Sequence, residues 1–112
     1  MNNLKVEQFY AINQFRIYGD DLNILQSYDS KVVEITDYEG CYQCITLGRD
    51  WDYSTTTSKY VYKFLYEYSR VRIYGTTNKR KYINDLLKEY LEDKEAFVNK
   101  HNFVIVYDEN MI

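Results

Sequence analysis

A chain of 112 residues with a formal net charge of −3 amounts to one domain, long enough to bury a single core. Its hydrophobic content of 46% and charged content of 28% are ordinary for a folded globule. No apolar run reaches the length of a membrane span, and four scattered glycines cannot build a phosphate-cradling loop.

Residues 1–13 fit either a short helix or an irregular lead-in strand, with Phe9, Tyr10 and Ile12 as apolar positions. The first seven residues contain no apolar signal core, so the expected location is the cytoplasm of the cell that makes the protein. Phe15-Arg16-Ile17-Tyr18 alternates and predicts the first clear strand. Gly19-Asp20-Asp21 predicts a turn, with glycine free to take positive φ. Further strands are predicted at Leu22–Ser27, at Lys31–Thr36 with its β-branched residues, and at Cys41–Leu47. Turns at Asp29-Ser30 and Asp37–Gly40 separate them. Short strands joined by short turns predict an antiparallel meander with one face to bury.

From Trp51 to Tyr68 the hydrophobic period changes. Tyr60, Val61, Phe64, Leu65 and Tyr68 form one apolar stripe of a helix that would cover the sheet. Ser54 is the preferred N-cap, with Asp52 and Thr55 competing. Trp51 and Tyr53 are expected beneath the helix start, and Tyr62 and Tyr66 on its other face; the segment as a whole reads as scaffold. Arg70–Gly75 is a strand or an extended connection. It repeats the Arg-Ile-Tyr-Gly of residues 16–19 without matching flanks, so no duplication is inferred. A second helix is predicted from about Asn78 to at least Glu92, on Ile83, Leu86, Leu87, Tyr90 and Leu91, with Phe97 and Val98 extending the stripe. Phe103–Tyr107 predicts a buried strand. The expected fold is one α+β domain over residues 1–112: an antiparallel meander of about four to five strands covered by two amphipathic helices.

Catalytic chemistry finds little support. Cys41-Tyr42-Gln43-Cys44 is a C-x-x-C, but it falls in a predicted strand, where positions i and i+3 face opposite ways. A tetrahedral zinc site would need two more ligands than these cysteines supply, so they read as structural. His101, the only histidine, lies in the polar run Asn99–Asn102 and reads as a solvated loop residue. Asp20-Asp21 and the Asp50/Asp52 pair are explained by turn formation. No catalytic residue, metal or cofactor is expected, and the chain is read as a non-enzyme.

Binding has more to recommend it. There are 14 tyrosines and no proline. AT-rich codon usage accounts for such a composition, yet exposed tyrosines still make an adhesive surface. Residues 1–57 hold four basic and nine acidic residues, a net of −5; residues 58–112 hold ten and eight, a net of +2. No acidic residue lies between Arg70 and Lys81. Lys79, Arg80 and Lys81 open the second helix against its dipole, and Glu92, Asp93 and Glu95 crowd its end. Arg70 and Arg72 are expected close to that helix start. A basic cluster beside free N–H groups suits an anion; the plainer reading is a solvated, solubilising face. The candidate partner-binding residues are Arg70, Arg72, Tyr74, Lys79, Arg80, Lys81 and Tyr82, joined by Tyr62 and Tyr66.

Three stretches carry a resemblance: Phe9-Tyr10-Ala11-x-Asn13-Gln14-Phe15-x-Ile17-Tyr18, Gln26–Ser30, and Trp51-Asp52-Tyr53-Ser54-x-Thr56-Thr57-x-Lys59-Tyr60. In these the chain resembles small uncharacterised proteins of phages and mobile elements of low-GC Gram-positive bacteria. The likeness covers about the first 68 residues; the basic segment and second helix depart from it. It implies no catalytic residues. By analogy with small acidic phage proteins it implies a binding protein that blocks a host defence protein, such as a CRISPR effector or another nuclease, with anti-CRISPR activity as a named case. The alternative is a nucleic-acid-binding accessory or regulatory protein that uses residues 70–82.

Overall fold

The computed structural model describes residues 3–37 and 42–112. Among them are six strands: β1 (Lys5–Phe9), β2 (Ala11–Tyr18), β3 (Leu22–Ser27), β4 (Ser30–Asp37), β5 (Gln43–Gly48) and β6 (Phe103–Asp108). Three helices, α1 (Thr55–Tyr68), α2 (Lys79–Glu92) and α3 (Lys94–His101), lie between β5 and β6. The strands form one sheet in chain order. β2 to β5 are the predicted antiparallel meander, and β1 extends it by a further antiparallel strand. β6 returns parallel to β5 after the helical crossover that a parallel neighbour requires.

The α+β class is as expected; the counts are higher by one or two strands and by one helix. The lead-in is two strands, β1 and the start of β2, joined at Tyr10. That turn lacks the usual signals, because Tyr10 itself takes positive φ (66°), and Asn13 bends β2 in the same way (68°). The extra helix arises at Asp93, whose extended backbone ends α2. Its carboxylate then accepts from the Ala96 N–H and starts α3. Phe97 and Val98 therefore do not prolong the α2 stripe; Phe97 is buried from a separate helix. Arg70–Gly75 is the extended connection, outside the sheet. Residues 38–41, with most of one predicted turn and Cys41, lie outside the described residues.

All three helices share one core on one side of the sheet. Register builds its floor in two rows: Leu25, Val33 and Leu47 across β3, β4 and β5, and Ile35, Ile45 and Ile105 across β4, β5 and β6. Val61, Phe64 and Leu65 of α1, Ile83 and Leu86 of α2, and Phe97 of α3 close over it. Each such side chain, fully buried, contributes roughly 1.5–3 kcal/mol. Trp51 is buried here as expected, but Tyr53 is 81% exposed. Two successive turns, Trp51 N–H to Gly48 O and Tyr53 N–H to Asp50 O, rotate its ring outward.

Candidate functional site

α1 starts as its sequence dictates. Ser54 Oγ accepts from the Thr57 N–H at 3.1 Å, and Ser58 Oγ donates to the Ser54 carbonyl at 2.9 Å. After Tyr68 the chain turns back along α1. Val71 and Ile73 point into the core while Arg70, Arg72 and Tyr74 stay exposed, an alternation that keeps this connection extended and packed. The Tyr74 ring meets Tyr66 edge-on, with centroids 4.7 Å apart. Asn78 caps α2, its Oδ1 accepting from the Lys81 N–H at 3.0 Å. Arg80 reaches Asp52 Oδ2 at 2.9 Å and ties the start of α2 to the loop before α1.

An open groove of about 870 Å³ lies between these parts. Its walls carry the cations Lys59, Lys63, Lys79 and Arg80, the rings of Tyr53, Tyr62 and Tyr74, and the hydroxyls at the start of α1. Asp52 is its one acidic wall residue, and it is engaged by Arg80. Lys59 and Lys63 stand four residues apart, on one helix face. Lys79 lies over the Tyr74 ring at 5.3 Å and Lys63 over Tyr10 at 4.8 Å. Tyr62 lies partly against the core, and that burial pushes its phenol above the usual tyrosine range.

The residues singled out from sequence are thus divided. Tyr62, Tyr74, Lys79 and Arg80 line the groove, and Tyr66 supports Tyr74. Lys81 turns to Asp85 at 2.8 Å, and Tyr82 packs against the core. Arg70 follows the other end of α1, where its guanidinium donates to the Asn102 carbonyl at 2.7 Å. That end is about 20 Å from the helix start by helical rise, so Arg70 does not join the cations of α2. Arg72 is exposed on the connection. Lys59, Lys63 and Tyr53 were not singled out. Their sequence signal is a Lys-x-x-x-Lys face opposite the apolar stripe of α1.

The reversed charge of α2 has local causes. Lys81 pairs with Asp85, Arg80 with Asp52, and Lys79 with an aromatic face. Such contacts are worth up to about 1 kcal/mol each, the same order as the unfavourable dipole interaction. At the far end, Asp93 and Glu95 occupy the cap and first turn of α3, where negative charge is favourable. His101 is no solvated loop residue. It ends α3, packs its ring at a tilt against Phe97 with centroids 4.3 Å apart, and places Nε2 3.0 Å from Glu89 Oε2. It clamps α3 to α2 away from the groove. The Cys44 thiol is pushed up by burial in β5. Among the described residues no three of His, Cys, Asp and Glu gather to hold a metal ion, and no helix is long and apolar enough to cross a membrane.

No curated protein and no solved structure matches the chain. A family model does match, over residues 3–85. That span runs from β1 into α2 and includes every residue lining the groove. The chain belongs to this family of unknown function, DUF8033.

Proposed function

We propose that the protein is a non-enzymatic binding protein whose working surface is the groove between the first half of α1 and the Tyr74–Arg80 segment. One observation carries this reading: four cations and three tyrosine rings surround a single open groove at which two helices begin. Helix starts and cations attract negative charge, while tyrosine rings offer rigid contact area with little entropy to lose. The partner is a macromolecule that presents acidic groups beside apolar or aromatic ones. The resemblance to phage and mobile-element proteins makes that partner a host defence protein in the bacterial cytoplasm, blocked in the manner of an anti-CRISPR. Tyr53, projecting at the groove wall, favours a second reading, in which single-stranded nucleic acid stacks on it and runs its phosphates past the lysines.

Capture of partners from a host lysate, with and without nuclease treatment, separates the two. Retention of a protein after nuclease treatment supports the inhibitor reading. Loss of capture, together with steep weakening in salt, supports nucleic acid. The triple change Lys59→Glu, Lys63→Glu, Lys79→Glu spares the Arg80–Asp52 tie and is expected to abolish capture with the fold intact. Normal capture by that variant sinks the groove as the working surface.

A further inference from the structure

β1 forms one edge of the sheet, and backbone register fixes which groups that edge presents. The Gly19 N–H donates to the Leu22 carbonyl at 3.0 Å, and the Tyr28 N–H to the Asn13 carbonyl at 2.6 Å. Peptide groups alternate sides along a strand, so Asn13, Phe15 and Ile17 bond towards β3, and Arg16 and Tyr18 bond towards β1. Their partners Glu7 and Lys5 therefore direct their N–H and C=O groups into the sheet. Those of Val6 and Gln8, and of Leu4 just before β1, point outward. Lys5 to Gln8 are all exposed, and no strand among the described residues pairs beyond them. Side chains alternate as well. Arg16 lies over the ring of Tyr68 in α1 at 4.2 Å and pairs with Glu7 at 2.9 Å. Glu7 and Lys5 thus stand on the helix side of the edge, and Val6 on the other.

We infer that β1 pairs antiparallel with β1 of a second copy, about a two-fold axis that passes through Val6 perpendicular to the sheet. In this register the two Val6 residues exchange main-chain hydrogen bonds, and Gln8 does so with Leu4 of the other copy. Lys5 then stands opposite Glu7 on both sides of the axis, and such opposed charges attract across a ladder. Moving the axis by one residue sets Glu7 against Glu7 or Lys5 against Lys5, so the charges select a single register. An edge lysine ordinarily guards a strand against pairing; in this register it meets an acid. Within one copy Lys5 makes no ion pair among the described residues. Glu7 gives one oxygen to Arg16, and the recess beside it is walled by a second carboxylate, Glu67, and by no cation. The contact is smaller than the roughly 800 Å² per partner of a standard interface, so the dimer is reversible. Both helix layers, and with them both grooves, lie on one side of a continuous sheet. The groove sits at the start of α1 and the β1 edge near its end, so the pairing is independent of the reading proposed for the groove.

Sedimentation equilibrium of the full chain, into hundreds of micromolar, tests this. The expected result is a reversible dimer. Val6→Pro removes the N–H at the axis, which faces away from β2, and is expected to leave monomer with unchanged circular dichroism. Lys5→Glu and Glu7→Lys each make both cross-strand pairs repulsive and are expected to weaken self-association by about tenfold or more. Both positions are exposed, so the fold is expected to survive either change. Mixed in equal amounts, these two variants are expected to associate with each other as the wild type does with itself, because every Glu again faces a Lys. A wild-type chain that stays monomeric throughout overturns the inference. So does a dimer that survives Val6→Pro, or a mixture of the two folded charge variants that stays monomeric.

Discussion

The two ends of the sheet make opposite use of the same alternation. Across β3 to β6 the apolar side chains, Leu25, Val33, Leu47, Ile35, Ile45 and Ile105, face the helices. Across β1 and β2 the helix-facing side is mixed, with Lys5, Glu7, Gln14, Arg16 and Tyr18 beside a single large apolar core residue, Phe9, while Val6, Phe15 and Ile17 face away. Arg16 explains how a polar end is tolerated beside a core. Its guanidinium pairs with Glu7 at 2.9 Å, donates to Asn23 Oδ1 at 2.8 Å, and lies between the rings of Tyr18 and Tyr68. The comparison therefore predicts different sensitivities at the two ends.

The largest effects belong to the helix-covered end. Phe64→Ala is expected to destabilise by about 3–5 kcal/mol and Leu86→Ala by about 2–5 kcal/mol, since both fill the closed core. Chemical denaturation read by circular dichroism checks this; an unmoved midpoint for either would mean that the core is not shared by the helices. Ile17→Ala should sharpen the contrast. It removes only partly buried area and is expected to cost about 1 kcal/mol or less. A cost as large as that of Leu86→Ala would remove the distinction between the two ends.

The smallest effect is electrostatic and lies on the helix-covered end. Arg49 and Ser30, both hydrogen-bonded to Asp50, hold its carboxyl below the usual carboxylate range. A folded-state pKa that is depressed contributes stability above the unfolded value, and that contribution is lost as pH falls through the folded one. Wild type and Asp50→Asn should thus converge in stability as the pH drops below about 4, and the variant should be the less stable at neutral pH. A constant difference across that window would assign the effect to packing.

Much of the architecture was legible one segment at a time. Alternation marked β2 to β5, the Phe103–Tyr107 run marked β6, and Ser54 and Asn78 marked the helix starts. The β1–β2 turn was not legible, because a tyrosine occupies the positive-φ position where glycine or asparagine is the usual signal. Asp93 was visible as an acid at the end of α2, but its role as cap of α3 depends on a backbone change that sequence periodicity does not report. The groove was half legible. Lys79, Arg80 and Tyr74 stood out by charge and spacing, whereas Lys59 and Lys63 join them only through the return of the chain along α1.

Sequence by itself determined the α+β class, the strands of the meander, the amphipathic helices and the scarcity of catalytic groups, since these follow from local periodicity and composition. Tertiary structure alone decided which face of each strand the helices cover. Alternation gives every strand an apolar side but leaves open which way that side points, and a neighbour's register settles it. That choice put Leu25 and Val33 inside and Phe15 and Ile17 outside.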